Sequence, residues 1–171
     1  QLGVLDSELI AREYSVLSDD FQNVLVSIDQ RLKQVTDVCA RAVLGGDIRS
    51  ALPGDLEVYL AEKTNENGVF RILNGEAYVL RNSENEWLHL CTLGPGDFIG
   101  QIPFLNTAHE PHSATVYVSA DFEAEPFELV AIKEEYDRLS QTFMNMIANI
   151  STSISVTTGR ILDLFNSRKK T

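Results

Sequence analysis

Between Phe21 and Ala42 the apolar residues recur at alternating steps of four and three: Phe21, Leu25, Ile28, Leu32, Val35, Cys39 and Ala42. That rhythm sets them on one stripe of an α-helix. Ser18 suits the N-cap and Gly45-Gly46 suits the stop, so the pattern predicts a helix over residues 19–44. The stripe is narrow, as in a helix-to-helix seam; the alternative is that it packs on the chain's own core. The same rhythm returns in Phe143, Ile147, Ile150, Ile154, Thr157, Ile161 and Leu164, behind a second capping serine, Ser140. This predicts a helix over 141–167, roughly 40 Å long at 1.5 Å per residue. Ser7 can open a short helix with Leu9, Ile10 and Tyr14 inward, and Lys133 to Leu139 reads as another.

Between the two long helices the period changes. Leu52-Pro53-Gly54-Asp55 is a turn, followed by strand-like runs at Leu56 to Lys63 and Gly68 to Leu73. Asn74-Gly75 then predicts a hairpin returning through Ala77 to Leu80. The polar tract Asn82 to Glu86 is a further turn, and Trp87 to Leu93, Ala114 to Val118 and Phe127 to Ile132 continue as strands. Short strands at close, regular spacing indicate a β-barrel or sandwich. The expected organisation is a helical segment over 1–50, a β domain over 51–133 and C-terminal helices over 134–171.

Composition narrows the function. A chain of 171 residues with 44% hydrophobic content can bury one domain's core with helical extensions. Its formal charge of −11 argues against a nucleic-acid or anionic membrane surface, since both need clustered Lys and Arg. The basic Arg168-Lys169-Lys170 complements the C-terminal dipole of the last helix. Cys39 and Cys91 are too few for a disulfide framework and read as buried free thiols. No apolar run approaches the ~20 residues of a membrane span, and no signal-peptide pattern is visible, so a cytoplasmic location is expected. The chain starts at Gln1 rather than Met, which leaves open that it is a trimmed piece.

The densest local signal is Gly94-Pro95-Gly96-Asp97-Phe98-Ile99-Gly100-Gln101-Ile102-Pro103-Phe104-Leu105, then a polar loop and His112-Ser113-Ala114-Thr115-Val116. Glycines and a proline this close mark a sharply turned backbone, and Pro103 suits the first turn of a short helix. Free amides at such a turn are a generic anion cradle. The stretch resembles the phosphate-binding cassette of the cyclic nucleotide-binding domain in the catabolite activator (Crp/Fnr-like) sensor family. That cassette runs Gly-Asp-x-Phe-Gly-Glu, an apolar pair, a variable loop, then Arg-Ser-Ala-Thr-Val. Gly96, Asp97, Gly100, Leu105, Ser113, Ala114, Thr115 and Val116 fall in step with it. Gln101 stands where the family has its ribose-binding Glu, and His112 where it has its phosphate-binding Arg. The resemblance runs from Pro53 to about Lys133, and Lys63 departs from a glycine usual near there.

The resemblance implies a mainly β fold with flanking helices: a β-roll of jelly-roll kind, with a long N-terminal helix and a C-terminal dimerisation helix. The tentative ligand site it implies is Gly100, Gln101, Ile102, Pro103, His112, Ser113 and Ala114. The dimer helix would use Phe143, Ile147, Ile150, Ile154, Thr157, Ile161 and Leu164 as its seam. His112 cannot copy an arginine fork, and Gln101 keeps an acceptor but loses the charge. Two charged hydrogen bonds at ~1.5–3 kcal/mol each would take a micromolar nucleotide site to millimolar or worse. The expected protein is therefore a regulatory homodimer whose cassette is retuned to another small anion or emptied of function. The alternative is a structural adaptor. No cofactor is required, and the ligand, if one is kept, is a cyclic nucleotide or another small anion. The resembling transcription factors carry a helix-turn-helix after the long helix, and Thr171 leaves no room for one, so a protein partner would take the output unless the chain continues. His109-x-x-His112 with Glu110 is a minor metal or haem alternative, outweighed by a loop reading. No Gly-x-Ser-x-Gly elbow or carboxylate pair stands out, so neither a catalytic nor a metal site is expected. Arg71 and Arg81, on neighbouring strands, are expected to face solvent.

Overall fold

The computed structural model describes residues 7–49, 56–60, 68–83, 86–100, 102–105 and 114–168. Two antiparallel sheets form the centre. One orders its strands β1 (Glu57–Leu60), β6 (Thr115–Val118), β3 (Ala77–Ser83) and β4 (Glu86–Leu93); the other orders β5 (Phe98–Gly100), β2 (Val69–Asn74) and β7 (Glu123–Pro126). Ile72, Ala77, Cys91, Leu93, Ile99, Val116 and Val118 fill the space between the sheets.

Among the described residues four helices flank this roll: α1 (Ser7–Ser15), α2 (Asp19–Val43), α3 (Val130–Tyr136) and α4 (Gln141–Arg168). Both long helices start where their capping serines predict. Ser18 Oγ accepts from the Phe21 amide, and Ser140 Oγ accepts from the Phe143 amide, each at 3.3 Å. Two glutamates brace these caps from other helices. Glu135 on α3 accepts from the Ser18 amide at 2.7 Å, and Glu13 on α1 accepts from the Ser140 amide and hydroxyl at 2.6 and 2.8 Å.

Three expectations need correction. Asn74-Gly75 turns the chain, with Gly75 at φ 75°, but it does not join paired strands. β2 and β3 lie in different sheets, so the turn is a corner of the sandwich; Asn74 Nδ2 donates to the Asp121 carbonyl to hold it. Phe127 to Ile132 is not a strand: the strand is Glu123–Pro126, and α3 begins at Val130. A short apolar run reads alike in both periods, and here the buried Ile132 belongs to a helix. Last, the core face of α2 is rotated from the expected stripe. Phe21, Val24, Ser27, Ile28, Val35, Val38 and Ala42 are buried, while Leu25, Leu32 and Cys39 sit half-buried at its flank. A strict heptad drifts about 20° per repeat on a straight helix. α2 also has two surfaces to cover, α4 and β4, so its buried face is wider than a seam.

The α2 face packs within its own chain. Phe21, Val24 and Ile28 cluster with Phe143 and Ile147 of α4, the sheet residues Val69 and Phe98, and Ile102, Leu105, Ile132 and Leu139. Val35, Val38 and Ala42 cluster with Ile161 of α4 and with Leu88 and Leu90 of β4. Of the seven seam residues named for α4, Phe143, Ile147 and Ile161 are buried in this way, and Ile150, Ile154, Thr157 and Leu164 are half-buried.

Candidate functional site

The glycine-rich turn is stapled to the sheet by its own backbone. The Gly96 amide donates to Ile72 O and the Ile72 amide donates to Asp97 O, both at 2.9 Å. Asp97 closes the turn as a carboxylate among amides does: its Oδ2 accepts from the Gly94 amide at 2.9 Å. Gly96 has φ 89° and Gly100 φ 108°, the left-handed side that glycine alone adopts without strain. At Gly100 space decides as well, since a Cβ there would lie 2.0 Å from the Gly68 carbonyl oxygen.

After Gly100 the chain makes a single 3₁₀ turn, Pro103–Leu105. Proline opens it as expected. Three residues carry little dipole, so this turn adds little electrostatic attraction for an anion. Ile102 and Leu105 are buried toward the helices, whereas Pro103 is exposed and Phe104 is half-buried against Tyr136, ring to ring at 5.2 Å. Pro103 and Phe104 form one wall of a mostly apolar groove of about 540 Å³, whose other wall is Leu129 and Val130 and whose rim is Lys133, Glu134 and Asp137.

Of the predicted ligand residues, Gly100, Ile102, Pro103 and Ala114 are placed; Gln101, His112 and Ser113 lie outside the described residues, as do His109, Glu110 and Lys63. The placed ends of the cassette both meet the helices. Ile102 and Leu105 join the cluster of Phe21 and Ile28, and Ala114 packs against the cluster of Val35 and Val38. Arg71 is not a free solvent-facing cation. It holds Asp20 on α2 at 2.7 Å and Glu125 on β7 at 2.7 Å, and lies 5.4 Å from the Phe127 ring centre. Those two carboxylates occupy its fork.

Sequence reading passed over Arg31. It stands on the core face of α2, between Ile28 and Val35, and its Nε is shielded from solvent without a hydrogen-bond partner among the described residues. Burial lowers its pKa, with Cys91 and Asp97 close enough to offset part of that. The signal was present: Arg31 follows Ser27 by four residues and precedes Val35 by four, which is a core position on a helix. On β4, Cys91 is driven up to about 11, mainly by burial, and so remains a thiol. His89 Nε2 lies 2.9 Å from Thr92 Oγ1, and burial first and Arg41 second lower its pKa. Among the described residues, no group of three or more His, Cys, Asp or Glu is placed to hold a metal ion. No described helix is long and apolar enough to cross a membrane.

Among solved structures, the EAL enzyme Bd1971 in its cAMP-bound form superposes at a TM-score of 0.50 and 15% identity, over 68% of this chain and 31% of that one. The fold is a cyclic nucleotide-binding-like β-roll with flanking helices. The half-site-occupied form of Bd1971 aligns at 0.43 and 13% identity, over 61% of this chain and 92% of that chain. The heme domain of CooA from Carboxydothermus hydrogenoformans aligns at 0.44 and 13% identity, over 69% and 80%. This chain thus spans about a third of the cAMP-bound Bd1971 chain, and 25% and 26% of two further forms. No protein-family model matches the sequence, and no curated protein matches it.

Proposed function

We propose that this chain is a regulatory ligand-sensing module, homodimeric through α4, whose cyclic nucleotide binding is altered or lost. In this reading helical segments 1–50 and 134–171 flank a roll over 51–133, and the output passes to a regulatory protein partner rather than to a reaction. One observation carries it. The turn that shapes the cassette keeps Gly96, Asp97 and a Gly100 that no other residue could replace, while the two positions that would grip a nucleotide are Gln101 and His112. A scaffold kept without its charged contacts is expected of a retuned site. Bd1971, alike in fold, has a cAMP-bound form, which supports a nucleotide cassette as the starting point.

Dimerisation is supported by what α4 leaves uncovered. Ile150, Ile154, Thr157 and Leu164 are only half-buried in one chain, and Val156 is 66% exposed. A second copy would cover them along a length suited to paired helices.

Calorimetry with cAMP and cGMP tests the ligand half. The wild-type chain should bind no tighter than millimolar, and Q101E/H112R should bind about 100-fold more tightly or better, since two charged hydrogen bonds return. A double variant that folds but gains nothing would favour the adaptor reading, in which the roll serves assembly alone. Light scattering tests the dimer half, and a monomer at micromolar concentration would exclude it.

A further inference from the structure

Three shielded polar atoms without a hydrogen-bond partner among the described residues share one level of the helix pair. Ser27 Oγ and Arg31 Nε stand one turn apart on the core face of α2, and Ser151 Oγ stands on the core face of α4. The two helices run parallel. Near their starts Phe21 and Ile28 cluster with Phe143 and Ile147, and at their ends Arg168 Nη1 donates to Gly46 O at 3.3 Å. Equal rise along both helices then puts Ser151 between Ser27 and Arg31. Apolar clusters flank this layer, with Val24 and Ile147 before it and Val35, Val38 and Ile161 after it, and Ile28 beside it.

Nothing in packing calls for such a layer, because leucines there would continue the seam. Helical serines commonly return their hydroxyl to the carbonyl four residues back, yet Ser27 and Ser151, 3% and 1% exposed, do not. Arginine cannot shed its proton, so the half-buried Arg31 keeps its charge. Asp97 acts on it electrostatically but is not hydrogen-bonded to it, and its Oδ2 is engaged by Gly94.

We propose that Ser27, Arg31 and Ser151 form a subsite for a small monoanionic oxyanion, a carboxylate above all, held between α2 and α4. The guanidinium presents coplanar donors that match a carboxylate, and two hydroxyls can donate to the same oxygens. The nearby Asp97 charge disfavours a dianion. The subsite does not depend on the cassette binding any ligand.

Thermal melting of the full chain in acetate, phosphate or chloride at constant ionic strength tests it, with wild type, R31M and H112A compared. Acetate at about ten times its Kd should raise the wild-type Tm by roughly 3–6 °C over chloride, and phosphate should raise it less. R31M should lose the rise and still fold, because methionine fills the place of the half-buried aliphatic stem. H112A should keep the rise. No acetate effect in wild type, or an equal one in R31M, overturns the subsite. So does a rise lost in H112A and kept in R31M, which would put the anion at the cassette. If R31M fails to fold, the Arg31 Nε–H resonance, assigned by its loss in R31K, must shift on acetate addition; an unmoved resonance is equally decisive.

Discussion

The side-chain amide of Gln34 is bound to both backbone groups of Thr92. Its Nε2 donates to Thr92 O at 2.9 Å and its Oε1 accepts from the Thr92 amide at 2.8 Å. β4 is the outer strand of its sheet, so these are backbone groups that a further strand would otherwise pair. One glutamine on the core face of α2 thereby fixes that helix to the edge of the roll, one turn beyond Arg31.

Gln34→Ala leaves Thr92 with two partly buried groups unmatched and should cost about 1–3 kcal/mol. Urea unfolding should show a lower midpoint at an unchanged slope. Hydrogen exchange at the Thr92 amide should speed up more than at Leu80, in the centre of the sheet. Unchanged exchange at Thr92 would mean that α2 is held there by packing alone.

The two left-handed glycines of the cassette turn should differ sharply. Gly96→Ala meets open space and pays only for its backbone torsion, about 1–2 kcal/mol. Gly100→Ala adds a collision with the Gly68 carbonyl and should cost about 4 kcal/mol or more. Equal denaturation midpoints for the two variants would show that the pairing of β5 with the start of β2 yields more readily than its geometry implies.

Stability should fall toward both ends of the pH range, for separate reasons. Cys91 is raised from 9.0 to about 11 by burial, so between those values the unfolded chain loses its thiol proton while the folded chain keeps it. Stability therefore declines as pH rises through that window, by roughly 3 kcal/mol in all. Cys91→Ala should flatten the decline. His89 is lowered from 6.5, so below that value the unfolded chain takes up a proton that the folded chain resists. Stability should drop as pH falls below 6.5, and His89→Gln should reduce the drop. Melting temperatures from pH 5 to 11 check both limbs.

Glu13→Ala removes both acceptors from the Ser140 cap and should cost about 1–2 kcal/mol. Glu13→Gln keeps one acceptor and should lose about half as much. The loss should appear as fraying of the first turn of α4, read by amide exchange at Thr142 and Phe143. A uniform loss of protection along the helix would mean that the cap and the body of α4 unfold together.

Much of the helical architecture was legible in order along the chain. Ser18 and Ser140 announced where the long helices begin, and Gly45-Gly46 where the first one ends, because caps are settled by residues within a turn of each other. The cassette turn was legible for the same reason: Gly94, Gly96, Asp97 and Gly100 carry its torsions and its amide contacts locally. Strand pairing was not. Asn74-Gly75 specifies a reversal, but the sheet that each flanking strand joins depends on residues far away in sequence, such as Asp121 and Phe98.

What the sequence determined by itself, then, is the set of elements, their caps and the unusual backbone of one turn, since those follow from near-neighbour torsions and hydrogen bonds. What only the tertiary structure decided is which side of α2 faces inward. A periodic stripe allowed the seam through Leu25, Leu32 and Cys39, but covering α4 and β4 together turned the helix toward Val24, Val38 and Arg31. Burial is a property of the assembled surfaces, and a charge placed on one face of a helix is shielded from water only as far as something closes over it.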